Sequence, residues 1–504
     1  MHLNLVVLGY LAMVLWSCSL QEKNKKEENP RPNIIYILAD DLGYGDLSAL
    51  NTNSAIATTH MDRLVHEGMH FTDGHSASAV CTPTRYGIIT GEYCWRSPLK
   101  SGVLWGYSPP LIEPSQVTIA SFLQDHGYRT GVVGKWHLGL GWQKQNPELP
   151  IASFDWNYAF DSLVGSNVDY SKPVTGGPNQ LGFEYSYIFP SSLDMTPYLY
   201  LENGKPTALP TSYTEGKTQE KDGRGVFWRA GEVTPDFDFE RVLHHLVSKG
   251  IDFLKEPDQR PFFLYLPLTA PHTPWLPTTE VKAATQAGTY GDFVKLVDNQ
   301  IGLILATLDE FQLTENTLVI LSSDNGAHWT DADKDQYDHL ANHQFRGMKA
   351  DIYEGGHRVP FLFRWPTKIP AGATSDQLLS TTDIMATVAG VIKEKLPAEA
   401  APDSYDLSEV LLGNAHEDLV RDHMIQHSLD GHFAIRAGDW KYTPGLGSGG
   451  FTDPKVVEAP ANGAAGALYN LSTDIGETTN LVNDYPEMVN SLHQKLEEVT
   501  GQQF

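Results

Sequence analysis

Residues 33–41 read Asn-Ile-Ile-Tyr-Ile-Leu-Ala-Asp-Asp, an apolar run that stops abruptly at two adjacent carboxylates. An apolar run of this length without polar alternation is a strand covered on both faces, as parallel strands are inside an α/β sheet. Similar short runs occur at Thr130–Val133, Pro261–Leu266, Thr317–Leu321 and Pro360–Phe363, and they read as further buried parallel-type strands. Between them lie helical patterns with clear stops: Thr59–Glu67 before Gly68, and Thr118–His126 before Gly127. Asp62, three residues after Thr59, gives the first of these a capping-box-like start. The alternation predicts an α/β fold: a large mixed, mostly parallel sheet sandwiched by helices.

After about residue 370 the texture changes. A Pro- and Ala-rich stretch, Leu396–Pro402, precedes two short runs, His432–Arg436 and Asp439–Tyr442, joined by Ala437-Gly438 as an antiparallel pair. Pro444–Ala467 is Gly- and Ala-rich and reads as a flexible loop, and Pro486–Val499 as an amphipathic helix. The expected division is a main domain over 31–370 and a smaller C-terminal subdomain of antiparallel sheet plus helix over 371–504.

The chain of 504 residues carries 62 Asp and Glu against 36 Lys and Arg, a formal charge of −26. That balance argues against nucleic acid or an anionic lipid surface as partner, though it leaves room for an anionic substrate in a locally positive cleft. Leu3–Trp16 is apolar apart from Asn4 and too short to span a bilayer; with Ser17-Cys18 after it, residues 1–18 read as an export signal with a lipobox-like Cys18. Residues 19–30 follow as a charged tether. The expectation is a bacterial exported protein, periplasmic or held at the outer membrane or cell surface through a lipidated Cys18, with soluble export as the alternative. Only Cys81 and Cys94 remain besides Cys18, which excludes a disulfide framework, although one disulfide between them would close a short loop.

In open α/β sheets ligands gather beyond the carboxyl ends of the strands. The first strand leads into Asp40-Asp41, the second into Lys135-Trp136-His137, the third into Pro271-His272 and the fourth into Asp324-Asn325-Gly326. Two adjacent carboxylates and a distant Asp-Asn pair supply oxygen ligands only, which suits Ca²⁺ or Mg²⁺ and argues against zinc.

The segment Cys81-Thr82-Pro83-Thr84-Arg85, continuing Gly87-Ile88-Ile89-Thr90-Gly91, resembles the signature of the type I, formylglycine-dependent sulfatases, an arylsulfatase-like branch of the alkaline-phosphatase superfamily, with Ile89 in place of the usual Leu. Pro83 reads as the first residue of a helix, which sets Cys81 at an anion-favouring helix N-terminus. The resemblance continues in order through Asn33–Gly45, Gly127–Gly139, Gly347 to Lys349, Tyr353–Gly356, Ala434–Tyr442 and Leu468–Leu481. It implies an alkaline-phosphatase-like fold with the catalytic sulfatase domain at 31–370. It also implies oxidation of Cys81 to formylglycine (3-oxoalanine) by a formylglycine-generating or anaerobic sulfatase-maturing enzyme. Asp40, Asp41, Asp324 and Asn325 would hold Ca²⁺, preferred to Mg²⁺, which also contacts residue 81. Lys135 and Lys349 would clamp sulfate, Arg85 would order the hydrated aldehyde, His137 would take a proton from it, and His272 would protonate the leaving alcohol after S–O cleavage.

Three segments border these motifs: Trp95–Pro110, Phe183–Tyr200 and His339–Arg346. From them, Arg96, Lys100, Trp105, His339, His343 and Arg346 are candidate substrate contacts, with Trp142 as a further stacking surface. The resemblance points to a sulfated polysaccharide or oligosaccharide, such as a 6-O- or 4-O-sulfate of galactose or N-acetylgalactosamine. Two rival readings are a phosphodiesterase or phosphatase of the same superfamily, and a glycan-binding lipoprotein without catalysis.

Overall fold

Asn33–Asp40 forms the opening strand, and all of it but Asn33 is buried because a parallel strand lies on either side. Ile34 stands in register with Phe263 on one side and Leu318 on the other. The computed structural model describes residues 31–151, 167–218, 224–414, 418–459 and 465–504. The expected export signal of residues 1–18 with Cys18, and the tether of 19–30, lie outside the described residues. Asn33–Phe504 is one compact unit.

The ten-stranded sheet runs in the order Ala373–Ser375, Met69–Phe71, Phe361–Arg364, Thr317–Ser323, Asn33–Asp40, Phe262–Pro271, Arg129–Lys135, Tyr185–Phe189, Leu201–Glu202, Lys205–Pro206. The five strands from Thr317–Ser323 to Tyr185–Phe189 are mutually parallel. Period-two geometry sorts the opening strand between two cores. Ile35, Ile37 and Ala39 pack with the helices Thr59–Glu67, Val242–Lys255 and Gly288–Glu310. Ile34, Tyr36 and Leu38 pack with Cys81–Thr90, Ile119–Asp125 and Ile384–Val391 on the other face. The expected mostly parallel, helix-covered sheet is therefore present.

Three local readings are corrected. Phe361–Arg364 runs antiparallel to Thr317–Ser323, because the chain leaves and re-enters at the same end of the sheet after an excursion through 324–360 and never crosses to the other edge. The helix Thr59–Glu67 has the expected bounds, but its cap position is Thr58 rather than Thr59: Thr58 Oγ1 donates to Asp62 Oδ1 at 2.8 Å while Ala49 N–H occupies the same oxygen. The helix after it begins at Cys81, so Pro83 is its third residue.

His423–His427, Phe433–Ala437, Trp440–Thr443 and Ala467–Asn470 form a separate antiparallel sheet covered by the helix Pro486–Thr500. Ile425, Ile435, Leu468, Leu492 and Leu496 make its core, into which Tyr93 and Trp95 also pack. Leu379 through Leu411 belongs instead to the core of the main sheet.

Candidate active site

Four parallel strands deliver polar groups to one end of the sheet. Asp40 closes the first strand and Asp41 follows with φ 67°. Lys135 closes another, and two residues on His137 has φ 55°. His272 follows the strand ending at Pro271, and Asp324-Asn325 follow the one ending at Ser323. Left-handed backbone at two non-glycine residues costs on the order of 1–3 kcal/mol each and persists only where the surroundings over-determine it. Packing around Gly326 is equally tight: a Cβ there would lie 1.9 Å from the Gly355 carbonyl oxygen.

The charged groups interlock. Lys135 Nζ lies 2.7 Å from Asp40 Oδ2 and donates to Ser192 Oγ at 3.2 Å. Lys349 Nζ lies 2.8 Å from Asp41 Oδ1, and its backbone N–H is anchored on the Ala327 carbonyl at 3.1 Å. Arg85 directs Nε and Nη2 to Asp324 Oδ2, at 3.1 and 2.7 Å, and donates from Nη1 to the Lys135 carbonyl. Asn325 Nδ2 donates to Asp41 Oδ1 at 2.6 Å. Two oxygens of this cluster, Asp40 Oδ1 and Asn325 Oδ1, are buried without a hydrogen-bond partner. An all-oxygen set of three carboxylates and an amide, two of its oxygens unpaired in a dry site, fits a hard divalent cation. Asp40, Asp41 and His272 also present ligand atoms within 4.8 Å of one another.

Burial opposes ionisation throughout the cluster. Lys135, His272 and Arg85 nevertheless hold the Asp40 carboxyl far below its usual range, whereas burial and the Asp40 charge push Asp324 up to about 7 despite Arg85. Burial raises the Cys81 thiol, only partly offset by Lys135 and Lys349, so the side chain is a protonated thiol and a poor nucleophile as it stands. Cys81 and Cys94 are both free.

The two histidines are poised differently. His137 donates from Nε2 to the Leu104 carbonyl at 2.7 Å, which leaves Nδ1 a buried lone pair with no partner. Burial and Lys135 keep this ring neutral. His272 donates from Nδ1 to the Thr273 carbonyl at 2.6 Å, so Nε2, 3.9 Å from Asp41 Oδ2, is the nitrogen left for a ligand. Thr82 ties the arrangement together: its Oγ1 donates to the His137 carbonyl and accepts from Leu104 N–H.

Asp41, Cys81, His272 and Lys349 line a cavity of about 320 Å³ together with Trp105. The other expected substrate contacts lie elsewhere, because proximity in sequence to a motif does not set the side of a loop on which a residue falls. Arg96 is paired with Asp403 at 2.8 Å, and Lys100 Nζ bonds the Trp95 carbonyl, both beside a different groove. His339 is buried against Asp46, with Nε2 to Oδ1 at 2.9 Å. His343 packs on Tyr44 and Phe345, and Arg346 lies over Tyr353 and bonds the Glu477 carbonyl. Trp142 is buried with its Nε1 on the Gly106 carbonyl. The cavity wall instead carries Asp194, Arg224, Arg229, Trp275, His328 and Phe451. Asp194 falls within the aromatic stretch Phe183–Tyr200; the two arginines carry no pattern that marks them.

Known proteins agree with this architecture. Residues 32–393 match the family model described as Sulfatase. An N-acetylgalactosamine-6-O-sulfatase of Bacteroides thetaiotaomicron is 33% identical over 515 residues, covering 95% of this chain and 95% of that protein. A steryl-sulfatase of Rattus norvegicus is 33% identical over 413 residues, 76% of this chain and 71% of that one. Among solved structures, one described under the metabolism of multiple glycosaminoglycans by Bacteroides thetaiotaomicron superposes with a TM-score of 0.79 at 32% identity, over 94% of this chain and 100% of that one. A sulfatase from Pseudoalteromonas sp. shares the fold at 22% identity, with a TM-score of 0.69 over 94% and 90% of the two chains. Sequence, fold and the polar cluster at the strand ends converge: the chain belongs to the sulfatase family and is a sulfuric ester hydrolase.

Proposed function

We propose that the enzyme removes the 6-O-sulfate from N-acetylgalactosamine units of a sulfated glycan. The observation that carries this reading is the single cavity lined by Cys81, Lys349, His272 and Asp41 together with aromatic and polar residues such as Trp105, Trp275, Asp194 and Arg229. The relative matched over 95% of both chains, named for this ester, supports the choice of sugar and position. At about 320 Å³ the cavity is near the small end of ligand pockets, which favours one saccharide unit at a time.

Burial keeps the Cys81 thiol protonated and a poor nucleophile; converted by a maturing enzyme to formylglycine, the residue gains a hydrate that supplies the attacking hydroxyl. Asp40, Asp41, Asp324 and Asn325 would hold a calcium ion, which would supply charge neutralisation to an anionic ester. Calcium is favoured over magnesium because the donors form a protein-only oxygen set, whereas magnesium tends to retain its waters. Lys135 and Lys349 bring ammonium groups to the sulfate oxygens, and Arg85 orders residue 81 and Asp324 together. His137 accepts a proton at Nδ1, the lone pair its Leu104 hydrogen bond leaves without a partner. His272 delivers a proton from Nε2 to the departing alcohol when it is in its doubly protonated form, which burial and Lys349 oppose and Asp41 and Asp40 favour; the proton matters for a sugar because an alkoxide leaves poorly. Export and tethering through Cys18 would place this chemistry at the cell envelope, where polysaccharide is met.

The test is sulfate release, with calcium present, from singly sulfated saccharides by protein in which mass spectrometry shows aldehyde at position 81. Cys81→Ala serves as the blank. Release from N-acetylgalactosamine 6-sulfate that vanishes in the blank is the expected result. Release confined to another sugar or position overturns the substrate.

A further inference from the structure

The cavity that Cys81 lines also holds a group that the sulfate and cation chemistry does not use. Asp194 lines the wall and is 5% exposed. One of its oxygens, Oδ2, is in a close ion pair with Arg229 Nη1, and the two residues are also joined by Arg229 N–H donating to the Asp194 carbonyl at 3.1 Å. The second carboxylate oxygen, Oδ1, is buried with no hydrogen-bond partner. An ion pair alone explains one oxygen; a buried carboxylate oxygen left unpaired carries a desolvation cost that something must offset. Burial opposes ionisation of Asp194, but nearby His272 and Arg229 prevail and lower it to about 2, so the group is an acceptor only near neutral pH. His272 is the residue placed to serve the departing alcohol, and it lines the same cavity as Asp194. Arg229 in turn lies over the Trp105 ring at 4.7 Å, and Trp105 lines the same cavity. An ionised acceptor, a fixed guanidinium and an aromatic ring form a surface suited to a polyhydroxylated leaving group.

Building on the reading of the substrate as a sugar sulfate, we propose that Asp194 is a specificity-determining residue whose Oδ1 accepts a hydrogen bond from a hydroxyl of the sugar being released, with Arg229 and Trp105 holding it in place. The ester is then read at two separated points, the sulfate by the lysines and the sugar by Asp194.

The experiment compares matured wild type and Asp194→Asn on N-acetylgalactosamine 6-sulfate, on its mono-deoxy analogues and on p-nitrophenyl sulfate, an ester without sugar hydroxyls. Losing a hydrogen bond to a buried charged acceptor should lower kcat/KM on the sugar ester roughly ten- to a hundredfold. The aryl ester, which offers Asp194 no sugar hydroxyl, should lose at least severalfold less than the sugar ester. One deoxy analogue should cost the wild type a similar factor and the variant nothing further, as coupled partners do in a double cycle. An equal loss on both esters assigns Asp194 a structural role and overturns the inference while the sugar substrate stands. The deoxy series on wild type does not depend on the variant's stability: if every analogue is cleaved as fast as the parent, no hydroxyl is read and the inference falls. If wild type cleaves the aryl ester and no saccharide ester, the glycan reading fails and takes this inference with it.

Discussion

Loading the Asp40–Asp41–Asp324 cluster with a divalent cation should expel close to one proton at mildly acidic pH. All three carboxylates are buried, and although Lys135, Lys349 and Arg85 stand among them, burial and the Asp40 charge push Asp324 up to about 7. The proton belongs to the cluster rather than to one residue, since neighbouring carboxylates titrate together. A raised constant means that the ion-free fold keeps the proton which the ion must displace, so affinity rises with pH through about 7 and levels off above it. With an apparent value of about 7, occupancy is about 0.9 proton at pH 6 and about 0.1 at pH 8, and affinity falls about fivefold from pH 7 to pH 6. Isothermal titration with calcium in two buffers of different ionisation enthalpy reads these numbers directly. Asp324→Asn, which has no proton to lose there, should bind with little proton release at either pH. Tight binding by the wild type at pH 6 with no proton released would refute the reasoning, because it would mean that all three carboxylates are already ionised side by side in the ion-free fold.

Three other outcomes are expected. His137→Ala removes the Nδ1 lone pair and should lower kcat about a hundred- to ten-thousandfold with little change in KM, measured as steady-state sulfate release by aldehyde-bearing protein. Arg96→Ala, whose guanidinium is paired with Asp403 away from the cavity, should leave kcat and KM on the sugar ester unchanged; a change in KM would return Arg96 to the substrate site. Lys441→Met removes the ammonium now 2.9 Å from Glu477 and 3.0 Å from Glu354, leaving Glu477 buried without that cation and Glu354 with Arg358 and Arg436, and should cost about 3–5 kcal/mol in urea unfolding.

The part of the site that was legible in the sequence is the part delivered by strands. A buried parallel strand must be apolar along its length, so the first ligand-type residue after it marks where the strand ends, and Asp40, Lys135, His272 and Asp324 all stand at that boundary. The recognition wall was not legible for the converse reason. Asp194 and Arg229 come from loops without periodicity and meet only in space, and nothing in Trp95–Pro110 distinguishes Trp105, which enters the cavity, from Arg96, which turns to Asp403. Nor does composition reveal that Asp41 and His137 take left-handed backbone, since glycine is the residue that advertises that conformation. The direction of Phe361–Arg364 depends on where a long excursion re-enters the sheet, which an apolar run of four residues does not encode.

The small antiparallel sheet has a place in this chemistry that its distance in sequence conceals. Its first strand ends at His427, whose carbonyl accepts the Ala79 N–H at 2.9 Å, two residues before Cys81. The Ala79 carbonyl accepts the Ala350 N–H at 2.8 Å, next to Lys349, and the Ala350 carbonyl accepts the Leu429 N–H at 3.0 Å, which returns the chain of bonds to the same sheet. Leu429 itself lines the cavity. Ala350 has φ 79°, so the segment that carries Lys349 is held in a conformation that an isolated loop would abandon. Below this, Lys441 of the small sheet lies buried between Glu354, from the excursion that bears Lys349, and Glu477. Cys81, which begins its helix, and the lysine beside Asp41 are thus fixed relative to each other through backbone that belongs to neither the main sheet nor its helices. A site whose groups must keep a fixed mutual geometry needs such a brace, and this gives the last eighty residues a reason to be part of the enzyme beyond closing its core.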